Sequence, residues 1–213
     1  MAAVGVIVLG KGTLAVRVSD WFLRHPDYEL LRVVPVMPEP DWTDSLTRWA
    51  RTERVPVVAT GDYRDLPLES AELGISVFYD RILSQEFIDR FDTLLNVHNG
   101  PLPRYRGVAP INWALKNGER RHGVTIHEIA SGIDEGPIVA QLEYSIYPEF
   151  DEVVDVYQRA LEYGWALFQQ TLPVLERIEP RPQNHALATY YSACDRRLLG
   201  ERAGFTRELS VKG

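Results

Sequence analysis

The sequence predicts an α/β fold, a mainly parallel sheet with helices on both faces, and three observations carry that prediction. Apolar, β-branched runs recur through the first hundred residues, segments with helical spacing separate them, and glycine or proline turns bound each run. Strands and helices that alternate in this way are joined by right-handed crossovers into a parallel sheet.

The first run, Val4-Gly5-Val6-Ile7-Val8-Leu9, is continuous, as expected of a strand covered on both faces. Gly10, Gly12 and Thr13 lead into residues 14–24, where Val18, Trp21 and Phe22 fall on one helical face. A second strand is expected at residues 30–36. A third is expected at 55–58, after a helical stretch around Leu46 and Trp49, and two more at 75–79 and 94–97. Beyond Gly107 the pattern changes to alternation, so residues 124–129 and 138–142 read as neighbouring strands joined by the loop 130–137. Residues 151–178 carry Val153, Val156, Tyr157, Leu161, Trp165 and Phe168 on helical spacing, with Asp151 and Glu152 at the positive end. Pro180 and Pro182 stop that helix, and the remainder to Gly213 is more polar and irregular.

Composition narrows the function classes. A chain of 213 residues with 45% hydrophobic and 25% charged residues can bury a substantial core and is not a disordered or fibrous sequence. Its net charge of -7 repels a phosphate backbone, which disfavours nucleic acid as a partner. The lone Cys194 excludes an internal disulfide and fits a reducing, cytoplasmic setting. The apolar start lacks basic residues at its head and is too short for a membrane span, so no membrane partner is expected.

Polar residues capable of chemistry gather in two places. Asn96-Val97-His98 ends a buried strand, the location at which open α/β sheets bind ligands, and the rigid loop with Gly100, Pro101, Pro103 and Gly107 follows it. Gly132-Ile133-Asp134-Glu135-Gly136-Pro137 sets a carboxylate in a glycine-flanked loop where backbone can approach a ligand closely. A bland reading remains for each segment alone, a strand-end cap and a turn.

Taken together, these segments resemble the folate-dependent formyltransferase family, which includes glycinamide ribonucleotide transformylase, methionyl-tRNA formyltransferase and sugar N-formyltransferases. The resemblance runs from Asn96-Val97-His98 through Leu102-Pro103-Arg104-Tyr105-Arg106-Gly107 and Gly123-Val124-Thr125-Ile126-His127 to Asp134-Glu135-Gly136-Pro137-Ile138. It implies a Rossmann-like formyltransferase fold, with a catalytic domain over residues 1–180 and a tail, 181–213, packed on the core or at a homodimer contact. It also implies 10-formyltetrahydrofolate as co-substrate, no metal and no covalent enzyme intermediate. Asn96 and His98 become donors to the developing oxyanion, and Asp134 orients His98, favours its charged form and relays the amine's proton. By the same resemblance Arg81, Ile82 and Leu83 line the pterin pocket, and Glu128, Ile129 and Gly132 close its other side. His127 reads as a strand residue with a satisfied ring.

The acceptor is less constrained. Residues 106–115, Arg-Gly-Val-Ala-Pro-Ile-Asn-Trp-Ala-Leu, resemble the version in tRNA and amino-sugar formyltransferases. With no evident basic RNA domain, the expectation is a small-molecule amine on a nucleotide-linked sugar, held by Gly10, Lys11, Gly12 and Thr13 at a helix N-terminus and by Asn99 and Gly100. Family members often carry Pro-Ser-Leu after the motif histidine, whereas Asn99-Gly100-Pro101 stands here, so the loop is expected to take a different shape.

Two other classes stay open. Gly10-Lys11-Gly12-Thr13-Leu14-Ala15 also fits a dinucleotide fingerprint, with Glu39 as a ribose-binding acid of a nicotinamide oxidoreductase. An idle binding module with the same fold is the other. Tyr190 and Tyr191 read as tail-to-core packing, a dimer contact or a surface for a nucleotide base.

Overall fold

A computed structural model describes residues 3–67 and 71–200, so the tail expectation for 201–213 lies outside the described residues. The described residues form two compact units, one within 1–97 and 128–131, the other within 98–127 and 132–200. The secondary structure is mixed α/β with mainly parallel strand pairing, as the sequence predicts.

The first unit is built on β1 (Val4–Gly10), α1 (Gly12–Arg24), β2 (Tyr28–Pro35), α2 (Leu46–Glu53), β3 (Leu73–Val77), the single turn α3 (Gln85–Ile88) and β4 (Thr93–His98), of which residues 93–97 belong to this unit. Its strands run parallel in the order β2-β1-β3-β4. Ile7 and Leu9 pack with Val34, Val58, Tyr63, Leu66, Phe87 and Leu94 in one apolar cluster. Each such side chain contributes roughly 1.5–3 kcal/mol by leaving water.

Two local expectations are corrected. Residues 55–58 do not form a strand: Val57 makes one isolated parallel bridge to Val33, flanked by bonds from Val33 N to Pro56 O and from Val58 N to Val33 O. Pro56 has no N–H to extend the ladder. Glu39 is not presented to a ligand either. It accepts hydrogen bonds from Ser45 Oγ (2.6 Å) and Thr47 N (3.1 Å), while Ser45 Oγ accepts from Arg48 N. Glu39 therefore anchors the start of α2, where backbone donors lack helical partners, and the ribose-acid reading loses its residue.

The second unit contains β5 (Arg106–Gly107), α4 (Pro110–Lys116), β6 (Arg121–Glu128), of which residues 121–127 belong to this unit, β7 (Ile138–Ser145), α5 (Val153–Thr171) and β8 (Tyr190–Tyr191). β6 and β7 pair antiparallel, as their alternation predicts, with Val124 opposite Leu142 and Ile126 opposite Ala140. A capping box between Glu152 and Asp155 opens α5. The helix stops at Thr171 rather than at 178 and passes into 3-10 turns over Leu172–Arg177, because Pro173 cannot donate to the preceding turn. Beyond it the tail returns: Arg181 bridges Ile138, and β8 pairs in parallel with β5. Tyr191 stacks on Trp113 at 4.2 Å and on Tyr105 at 5.9 Å, whereas Tyr190 is half exposed.

His122 on β6 is fully buried, and its Nε2–H donates to Asn99 O at 2.9 Å. Burial pushes its pKa down from 6.5 to about 3. A neutral ring in the fold and a protonatable ring in the unfolded chain mean that stability is intact above pH 6.5 and is lost as pH falls toward 3. Thermal unfolding followed across that window should show a steeper fall in Tm for the wild type than for His122→Gln, which keeps a donor but cannot titrate; parallel curves would contradict the assignment.

Candidate active site

The second unit gathers a compact polar cluster around Asp134. The residue has a positive φ of 53°, a conformation that side chains other than glycine adopt only when the surroundings hold it. Its Oδ2 accepts from Gly107 N at 2.8 Å, and its carboxylate lies between two imidazoles, 3.6 Å from His98 Nδ1 and 3.5 Å from His127 Nε2. Burial alone would raise this carboxyl. Attraction to the His98 and His127 rings when these are protonated, the His127 hydrogen bond and the Gly107 amide outweigh burial and hold the Asp134 carboxyl well below the usual carboxylate range.

His98 is the last residue of β4 and is buried. Its Nε2 lies 2.8 Å from Tyr105 O, and because a carbonyl can only accept, Nε2 carries the proton. Burial lowers the ring's pKa despite the attraction of Asp134. The resting ring therefore favours the neutral form, contrary to the expectation that Asp134 keeps it charged. Nδ1 then presents a lone pair to a carboxylate beyond hydrogen-bond distance. The Nε2–H is committed to Tyr105, so the expected oxyanion-donor role of His98 is not available in this resting geometry. Asn96 lies two residues earlier on β4, and strand period places the two side chains on one side of that strand.

The loop after His98 is shaped from below. A Cβ on Gly100 would lie 2.7 Å from His98 Nε2 and 3.1 Å from Tyr105 O, so the glycine admits the very bond that fixes the ring. Thr125 Oγ1 donates to Gly100 O at 2.6 Å and accepts from Leu102 N and Gln141 Nε2. Asn99 gives its carbonyl to His122. Gly100 and the Asn99 backbone are thus engaged in building the site, which weakens their reading as acceptor contacts. Gly107 has φ +86°, and a Cβ there would meet Tyr191 O at 2.2 Å, so its amide reaches Asp134 only because no side chain is present.

In the first unit, Leu83 and Ile129 both pack against the apolar cluster, and Ile82 is exposed. Arg81 pairs with Asp62 at 2.9 Å, and Ile129 N donates to Leu94 O. Gly132 opens the Asp134 loop in the second unit, with Glu135 Oε2 occupying the space a side chain would need. The Gly10–Thr13 turn is largely satisfied internally: Lys11 N donates to Val77 O, and Thr13 N donates to Thr43 Oγ1. Those two amides cannot serve a phosphate without breaking existing bonds, which counts against both the acceptor-phosphate and the dinucleotide reading of this turn.

Sequence reasoning gave Arg106 and Gln183 no role of their own, and His127, read as a strand residue with a satisfied ring, is such a residue on β6 with Asp134 as the partner of its ring. The pairing of Thr125 and His127 on one side of β6 carried a signal, since both are polar and alternate with the apolar Val124 and Ile126. Gln183 carried none: its partner Arg106 is 77 residues away. No helix among the described residues is long and apolar enough to cross a membrane, and no group of three or more His, Cys, Asp or Glu residues among them is placed to hold a metal ion.

Comparison with known proteins bears on this geometry. The methionyl-tRNA formyltransferase of Fervidobacterium nodosum is 41% identical over 119 residues, covering 56% of this chain and 37% of that protein. The chain thus spans well under half of that relative's length. Among solved structures, the N-formyltransferase from Helicobacter canadensis, in complex with folinic acid and dTDP-3-aminofucose, superposes with a TM-score of 0.79 at 27% identity, covering 92% of this chain and 72% of the other. WlaRD, a sugar 3N-formyl transferase solved with dTDP and 5-N-formyl-THF, gives a TM-score of 0.84 at 25% identity, covering 95% and 74%. The sequence profile named Formyl transferase matches residues 60–172, more than half of the chain and all of the segment from Asn96 to Asp134, and the chain therefore belongs to the formyl transferase family.

Proposed function

We propose that this protein transfers the formyl group of 10-formyltetrahydrofolate to a primary amine, and that the acceptor is a nucleotide-linked amino sugar. The observation that carries the reaction is the buried Asp134 carboxylate set 3.6 Å from Nδ1 of His98, a ring whose Nε2 is bonded to Tyr105 O. The amine nitrogen attacks the formyl carbon, forming a C–N bond and placing negative charge on oxygen, which the Asn96 amide stabilises. The nitrogen's proton passes to the space between His98 Nδ1 and Asp134 Oδ2, where the resulting imidazolium is paired at once. Collapse of the intermediate breaks the bond to N10 of the folate, and the stored proton goes to that nitrogen. Donor, acceptor and products balance with no redox step.

The pterin is assigned to Arg81, Ile82, Leu83, Glu128 and Ile129, with Gly132 at the start of the Asp134 loop. Exposed Ile82 beside half-buried Leu83 offers an apolar surface, and folate compounds accompany both structural relatives named above. Support for a sugar acceptor comes from the same relatives, each covered over nearly three quarters of its length, and from the net charge of -7. A tRNA acceptor is the second reading, favoured by the 41% identical relative. We assign the protein no membrane partner and a cytoplasmic setting, and the homodimer stays part of this proposal.

The deciding assay supplies 10-formyltetrahydrofolate with nucleotide-linked amino sugars, glycinamide ribonucleotide, charged initiator tRNA or free amines such as ornithine. The sugar nucleotide should be the substrate turned over, and 5-formyltetrahydrofolate should bind without reacting. Selective turnover of tRNA or glycinamide ribonucleotide would displace the sugar assignment, and turnover from formate and ATP without folate would exclude the donor.

A further inference from the structure

We infer that Gln183 is a positioning residue for the catalytic carboxylate, clamping the Asp134 loop from the C-terminal tail through Arg106. The inference rests on the formyl-transfer reading above, and Gln183 lies beyond the family-matched segment, which ends at residue 172.

Gln183 is buried and uses its whole hydrogen-bonding capacity. Its Nε2 donates to the backbone carbonyls of Asp134 (2.8 Å) and Gly136 (2.7 Å), one on each side of Glu135. Its Oε1 accepts from Arg106 Nε (3.1 Å) and Nη2 (2.7 Å). The Arg106 guanidinium is itself buried and reaches Glu135 Oε1 through Nη1 at 3.0 Å. Arg106 immediately precedes Gly107, whose amide holds the Asp134 carboxylate. One amide side chain therefore fixes the backbone of Asp134 from one side, while the residue next to its partner fixes the carboxylate from the other. Asp134 holds a left-handed backbone with φ of 53°, a region that Asp tolerates better than most residues but still at a cost that the clamp offsets. The tail is held in place for the task by Thr189 Oγ1, which accepts from Tyr105 N at 2.7 Å, and by the β5–β8 pairing.

Gln183→Leu removes both N–H donors and the one oxygen that accepts twice from Arg106. Gln183→Glu keeps the acceptors for Arg106 but sets a carboxylate oxygen against two carbonyls. Both variants are prepared in the full chain and compared with the wild type in two measurements. In the formyl-transfer assay kcat should fall about 10- to 100-fold, as expected of a displaced catalytic group, with KM for 10-formyltetrahydrofolate within about twofold. In NMR spectra recorded without substrate, the Gly107 amide and the His98 and His127 ring resonances should shift in both variants. Because Gln183→Glu retains the Arg106 bond, it keeps the test open if Gln183→Leu does not fold. Folded variants with wild-type kcat, or with a lower Tm and unmoved ring resonances, would overturn the clamp. If the wild type itself transfers no formyl group, the reaction fails, and the resonance shifts still decide the clamp alone.

Discussion

Asp134→Asn should leave a folded protein whose kcat with saturating substrates is lower by about three orders of magnitude. The substitution preserves shape and can still accept from Gly107 N, but it removes the charge that lies 3.6 Å from His98 Nδ1 and 3.5 Å from His127 Nε2. Without that charge only the hydrogen bond to Tyr105 is left to oppose the desolvation that already lowers the pKa of the buried His98 ring, so the ring takes up the amine's proton far less readily. His98→Asn should lose a similar factor. The double variant should be little worse than either single one, because the two groups hold one proton between them. Turnover assays paired with circular dichroism would decide this: a folded Asp134→Asn protein with near-normal kcat would remove the carboxylate from the mechanism, and additive losses would separate the two roles.

Gly100→Ala carries the second largest expected effect, although the residue offers no chemistry of its own. The added methyl would come within 2.7 Å of His98 Nε2 and 3.1 Å of Tyr105 O, the two atoms of the bond that orients the ring. The loop itself yields little, since Tyr105 N is bonded to Thr189 and Gly100 O to Thr125. The ring must therefore rotate or the loop must lift. Overpacking of this kind destabilises by about 1–3 kcal/mol, and loss of ring alignment should lower kcat about 100-fold. A variant with a reduced Tm but unchanged kcat would show that the Tyr105 bond is not what aligns His98.

Much of this architecture was legible in the residues. Continuous β-branched runs announced the buried parallel strands, and the switch to alternation at residues 124–142 announced the antiparallel pair. His98 and Asp134, both singled out in the sequence, are brought within 3.6 Å of each other, while the catalytic roles of these two and of Asn96 remain part of the proposal. What escaped depends on pairing across sequence distance. A short apolar run at 55–58 looks like a strand until Pro56 removes a donor, and Glu39 looks like a ligand-binding acid until Ser45 and Thr47 claim it. The protonation of His98 escaped too, because it follows from burial and a carbonyl seven residues ahead. These outcomes turn on three-dimensional neighbours, which no window of local sequence contains.

The tail's hold on the carboxylate limits how this chemistry could be moved between proteins. The stretch from Asn96 to Ile138 looks like a cassette, since it carries both imidazoles, the carboxylate and the shaping glycines. Transplanted alone, it would bring a buried guanidinium at Arg106 without the amide that receives it and two carbonyls without their donor. A designer grafting the motif onto another scaffold would therefore have to import a second, distant segment bearing a Gln183 equivalent, or rebuild the Asp134 turn around a different anchor.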